Sequence, residues 1–182
     1  MNREIAYISF VRRINWDTVN SLLHHCNEAV SKGAKCLYLM MASEGGGVDP
    51  GFAAYNQLRS LPVEIITHNI GSIDSMANVV FLAGTKRFAC PNTTFLFHGI
   101  FWGFASGAEA RRSQLLEILA SLEAAENKMM DAISNKTSLT QEELHAFFMQ
   151  GTMKDAAFAL SKGIVEEIKD VSIPTGVNIV QA

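Results

Sequence analysis

Apolar residues in this chain fall into short unbroken runs, separated by stretches in which they recur at helical spacing. Residues 6–11 read as a strand. Asn15 or Asp17 opens a helix that Gly33 closes, with Val19, Leu22, Leu23, Cys26, Ala29 and Val30 on one face. Residues 36–42 form a continuous apolar run of strand length, the pattern of a strand covered on both faces. Ser43-Glu44-Gly45-Gly46-Gly47 cannot continue it. A helix over about 50–60 carries proline in its first turn. Pro62 breaks it, and residues 63–67 predict the next strand. A loop around Gly71 leads to a helix over about 75–83, closed by Gly84. Residues 87–89 and 93–97 predict short strands on either side of Pro91-Asn92. After a loop holding Gly99, Gly103 and Gly107, a long helix is predicted from about 108 to 135, with Leu115, Leu119, Leu122, Ala125 and Met129 as its stripe. Thr140-x-x-Glu143 and Thr152-x-x-Asp155 each have the form of a capping box opening a short helix. The last helix ends at Gly163, and residues 165–168 predict a final strand.

Strands alternating with helices predict an α/β fold, read as a single domain over 1–182. The long helix exceeds what a domain of this size would cover, so it is expected to project and pack against another copy.

Composition narrows the class. The 182 residues are 48% hydrophobic with a formal net charge of −3, and the mean hydropathy is +0.14. No basic field invites nucleic acid or an anionic membrane. Cys26, Cys36 and Cys90 have no metal-ligand spacing and read as free thiols of a reducing, cytoplasmic setting. Neither a signal peptide nor a membrane span is predicted. His24 and His25 lie on a helix with no acidic or thiol ligand set read beside them, and His68 and His145 are single, so no metal site is expected. No cofactor motif is present: the glycine loop lacks both GxGxxG and the Gly-Lys-Ser or Gly-Lys-Thr of a phosphate loop.

Three features carry candidate chemistry. Gly45-Gly46-Gly47 after a buried strand is either a plain strand-to-helix turn or a source of backbone N–H groups for an oxyanion. Ser75 at a helix start is either an N-cap or a nucleophile whose oxyanion meets the N–H of Met76. His98 at a strand end is either a half-buried histidine bonded to backbone or a general base.

Their order along the chain is that of a known family. Ala42-Ser43-Glu44-Gly45-Gly46, Gly71-Ser72-Ile73-Asp74-Ser75-Met76-Ala77, Lys86-Arg87-Phe88, Pro91-Asn92, Phe97-His98-Gly99 and Ala159-x-x-x-Gly163-Ile164-Val165-Glu166 follow one another in the family's order, with Lys86-Arg87-Phe88 and Pro91-Asn92 at its spacing. From about Ile14 to Lys169 the chain resembles the proteolytic subunit of the Clp protease, within the crotonase-like superfamily. The resemblance implies a spiral of ββα units with a long projecting handle helix, and a homo-oligomeric ring. It implies a serine peptidase acting on peptides or unfolded protein, with Ser75 as nucleophile, His98 as base, and N–H groups of Gly45 or Gly46 and of Met76 as the oxyanion hole. A Clp-type ATPase is the partner it implies. The chain begins late relative to the family, without the axial gating segment, which sets the expectation against such coupling.

Two departures stand out. The family's third catalytic residue is an Asp, and an ungapped count back from Gly163 falls on Phe147, which cannot orient an imidazole. An Asp in that role is worth on the order of 10⁴ in rate in serine proteases. Glu142, Glu143 and Asp155 are nearby acids that do not match the motif, and Lys128 is the residue a Ser–Lys arrangement would use. Asp74, next to the serine, places a carboxylate where the family has a small residue. Three functions follow in order: a serine peptidase, a non-catalytic structural subunit, and crotonase-type acyl-CoA chemistry, which only Glu44 favours.

Overall fold

The computed structural model describes residues 5–182; residues 1–4, part of the reading that no signal peptide is present, lie outside them. The chain runs β1 (Ile5–Val11), α1 (Trp16–Ser31), β2 (Cys36–Ser43), α2 (Val48–Ser60), β3 (Glu64–Asp74), α3 (Met76–Phe81), β4 (Lys86–Ala89), β5 (Thr94–Phe97), α4 (Arg112–Ser134), α5 (Gln141–Gln150), β6 (Thr152–Asp155), α6 (Ala156–Ser161), β7 (Glu167–Ile168) and β8 (Ile179–Gln181). The main sheet has the order β6-β5-β3-β2-β1-β8, and β4 joins β3 to β7. All pairings are parallel except β5 with β6.

β2 lies between β1 and β3, and Leu37, Leu39 and Met41 are fully buried, which accounts for its unbroken apolar run. Asn15, not Asp17, caps α1: its side chain accepts from the Thr18 N–H at 2.9 Å, and its own N–H donates to Thr18 Oγ1. Helix α2 starts at Val48, two residues ahead of Pro50, with Gly47 as cap.

β3 differs from expectation in a way that matters for the site. It continues through Gly71 to Asp74, where a loop was expected. Its first half pairs with β4 and its last three residues with β5. The polar residues that interrupt the apolar run are buried and bonded. His68 Nε2 donates to the Lys169 carbonyl at 3.0 Å, while Tyr38 Oη donates to its Nδ1 at 2.6 Å. Asn69 donates to the Thr94 carbonyl and accepts from the Gly71 N–H. Satisfied polar groups of this kind are compatible with a buried strand.

Residues 152–155 correct a second expectation. They form an antiparallel strand on β5 rather than opening a helix, and Asp155 alone caps the following α6 through the Phe158 N–H at 2.8 Å. Strand β8 was not foreseen; three residues are too few to show a period. Helix α4 buries only its last turns, at Met129, Met130 and Ile133, against α3 and α5. Leu115, Leu116 and Leu119 remain about half exposed, so the helix projects as a handle. Among the described residues no helix is long and apolar enough to cross a membrane.

Candidate active site

The extension of β3 delivers Ser75. The strand ends at Asp74, and Ser75 turns the chain into α3 with φ 54° and ψ −125°, the one non-glycine positive φ among the described residues. Such a conformation costs about 1–3 kcal/mol and survives only where surrounding bonds impose it. Here the Ser75 N–H donates to the Leu96 carbonyl at 2.8 Å. The Asn78 amide donates to the carbonyls of both Ser75, at 3.1 Å, and Leu96, at 2.9 Å. Ser75 occupies the N-cap position, yet its hydroxyl makes no capping bond. The turn is therefore held by backbone and Asn78, and the Oγ is left uncommitted.

The glycine loop meets this turn. Ile14 pins it on both sides, its N–H donating to the Gly45 carbonyl at 2.8 Å and its carbonyl accepting from Gly47 at 2.9 Å. Gly45 has φ 83°, and a Cβ there would stand 2.6 Å from the Asp74 carbonyl oxygen and 3.2 Å from the Met76 nitrogen. Only glycine allows that approach. The Gly45 N–H donates to Ser43 Oγ at 3.2 Å. Among the described residues, the N–H groups of Gly46 and Met76 carry no hydrogen bond. Met76 is the first residue of α3, where an unpaired N–H is intrinsic to helix geometry.

His98 follows β5 directly and is half-buried. Its Nδ1 lies 2.7 Å from the Gly99 carbonyl oxygen. A carbonyl only accepts, so Nδ1 carries a proton, and in the neutral ring the lone pair is on Nε2. Ser75, His98 and Gly46 line one pocket of about 270 Å³ together with Arg13, Glu44 and Phe101. No hydrogen bond joins Ser75 Oγ to His98; the bond between a nucleophile and its base often tightens only once substrate is bound. A larger cavity of about 750 Å³ lies elsewhere, between β1, α1 and the Asn178–Val180 segment, and includes none of these groups.

Asp74 accepts from the Ser72 hydroxyl and lines a separate pocket with Arg12 and Arg13. Asp74 is not among the residues that line the pocket shared by Ser75 and His98. Glu142 is exposed on α5, Glu143 holds the Thr140 N–H and Lys162, and Asp155 caps α6. Lys128 sits over the Phe52 ring, 4.0 Å from its centroid. Phe147 packs between the rings of Phe97 and Phe158 with Lys154 above it. Gly151 of that segment lies near His98: a Cβ there would stand 4.0 Å from the His98 Cβ. Gly151 ends α5 with φ 64°, a signal the ungapped count passed over.

One further reading changes. His24 and His25 do have an acidic neighbour: Glu28, one turn on, brings a carboxylate oxygen within 4.8 Å of their ring nitrogens. That carboxylate is held by Lys32 at 2.6 Å. Glu126, unremarked in the sequence, reaches back from α4 and accepts from the Ile100 N–H at 2.8 Å. No local motif announces it, because it acts across 26 residues.

Known proteins resemble this chain over most of its length. A family model described as Clp protease matches residues 3–172. The chain is 29% identical over 147 residues to the ATP-dependent Clp protease proteolytic subunit 1 of Leifsonia xyli subsp. xyli, covering 80% of this chain and 73% of that protein. It is 23% identical over 138 residues to the ATP-dependent Clp protease proteolytic subunit of Lactococcus lactis subsp. cremoris, covering 75% of this chain and 68% of that protein. The family match runs from β1 past β7 and takes in every element that carries Ser75, His98 and the glycine loop; the chain belongs to the Clp protease family.

Proposed function

We propose that this chain is a serine peptidase of the Clp type. Ser75 Oγ attacks a peptide carbonyl carbon while His98 Nε2 takes its proton. The carbonyl oxygen becomes an oxyanion and is received by the N–H groups of Gly46 and Met76, which the fold leaves unpaired. Gly45 clears the space between the loop and Ser75 rather than donating, since its own N–H is engaged by Ser43. The imidazolium then protonates the leaving amine as the C–N bond breaks, and water hydrolyses the acyl-enzyme by the reverse proton path.

The observation that carries this reading is the Ser75 turn. A strained strand-to-helix corner that leaves a serine hydroxyl free is the geometry of a nucleophile elbow. Nδ1 protonation of His98 supplies the tautomer a general base needs. The half-exposed Leu115, Leu116 and Leu119 of α4 fit a handle that meets a second copy. Hydrolysis of a short fluorogenic peptide, lost on Ser75→Ala in a protein of unchanged oligomeric mass, tests the reading.

One observation favours a non-catalytic structural subunit instead: the partner of His98 Nδ1 is a carbonyl, not a carboxylate. That reading expects no hydrolysis in the parent protein and no effect of Ser75→Ala. The acyl-CoA reading gains nothing further, because Glu44 is an exposed carboxylate 3.9 Å from Arg13.

A further inference from the structure

Within the peptidase reading just given, we infer that Glu126 on the handle helix is a positioning residue for His98, acting through the Gly99–Ile100 peptide group. One amide connects the two. Its carbonyl oxygen, on Gly99, accepts from His98 Nδ1 at 2.7 Å. Its N–H, on Ile100, donates to Glu126 Oε1 at 2.8 Å. The carboxylate thus sits at the donor end of a peptide dipole whose acceptor end holds the imidazole.

The physical consequence follows from how amides polarise. A carboxylate accepting at N–H pushes electron density toward the carbonyl oxygen. The Gly99 oxygen becomes a stronger acceptor, and the Nδ1–H bond is strengthened most when the ring is an imidazolium. No proton travels along the relay; the Ile100 and Nδ1 protons stay on their nitrogens. The charge that a directly bonded carboxylate would place on the imidazole is here delivered, attenuated, across one peptide group.

The rest of the local structure holds this peptide in place. The Gly99 N–H donates to the Phe148 carbonyl at 2.9 Å, which fixes the amide on the other side of Gly99. A Cβ on Gly99 would lie 2.7 Å from Glu126 Oε1, so glycine is what lets the carboxylate approach. Arg13 and Glu44 are the other charged residues lining the pocket, from the segments after β1 and β2. Neither provides a hydrogen bond to His98 among the described residues.

The test separates charge from anchoring. Glu126→Gln keeps an acceptor oxygen for the Ile100 N–H but removes the charge; Glu126→Ala removes both. Peptide hydrolysis is measured alongside the proton resonance of His98 Nδ1–H in the substrate-free protein. The relay predicts that Glu126→Gln lowers kcat roughly fivefold with KM unchanged, moves the Nδ1–H resonance upfield, and that Glu126→Ala loses more. Gly99→Ala, whose methyl displaces the carboxylate while Glu126 itself is unaltered, should change the resonance in the same direction. A Glu126→Gln protein identical to the parent in resonance and kcat overturns the inference and leaves Glu126 a loop anchor. The resonance reads the relay even in a protein that hydrolyses nothing, so failure of the peptidase reading is distinguishable from failure of the relay.

Discussion

Gly45 lies directly against Ser75: a Cβ added to Gly45 would stand 2.8 Å from the Ser75 Cβ, closer than such atoms approach. Gly45→Ala therefore has two costs. Its φ of 83° alone costs about 1–2 kcal/mol for a residue with a side chain. The new methyl must also push the Ser75 turn or the Met76 N–H aside. The expected outcome is a folded protein with a lowered melting temperature and a kcat reduced at least tenfold. Thermal melts and steady-state kinetics check it. Retained kcat would show that the loop does not position the serine.

The strained corner itself makes a separate prediction. Glycine adopts φ 54° freely, so Ser75→Gly should stabilise the protein by about 1 kcal/mol, a rise of roughly 2–4 °C in Tm for a domain of this size. Activity should disappear at the same time. A variant that is inactive yet more stable than its parent is the expected signature of a residue kept for function at a cost in stability. Calorimetry on Ser75→Gly beside Ser75→Ala checks it.

The chain's pattern makes the α/β architecture, the handle helix and the order of Gly45, Ser75 and His98 legible. Three parts were not legible, each for a physical reason. β3 was cut short because His68 and Asn69 read as polar, although both are buried and bonded to partners 101 and 25 residues away. Thr152-x-x-Asp155 mimics a capping box because the same Asp caps a helix one residue later. The surroundings of His98 come from α4 and from the end of α5, and no spacing rule links Glu126 or Gly151 to a histidine so far upstream.

Gly151 supplies a gain-of-function test. An aspartate there would start 4.0 Å from the His98 Cβ, and Asp tolerates the left-handed φ of 64° better than most residues. Gly151→Asp should raise the rate of Ser75 acylation several-fold. Phe147→Asp should not, because Phe147 is packed against Phe97 and Phe158, and burying a carboxylate there should destabilise the fold. The pair is checked by single-turnover acylation rates and melts; acceleration by Phe147→Asp would contradict the assignment.

His68 predicts how stability responds to acid. Burial pushes its pKa below the ordinary histidine value of about 6.5. The unfolded chain then takes up the proton first on acidification. The stability from keeping His68 neutral is full above about 6.5 and falls as the pH drops toward the lowered folded value. His68→Asn should show a flatter dependence of Tm on pH between about 7 and 5 than the parent. Equal slopes would contradict the assignment.

The central claim is that Ser75 is an activated nucleophile. Its most direct test is reaction of the intact, folded protein with a fluorophosphonate probe, with the adduct mapped by peptide mass spectrometry. The account predicts a single adduct on Ser75, lost in Ser75→Ala and slowed at least a hundredfold in His98→Ala. A folded protein that carries no adduct at Ser75 contradicts it.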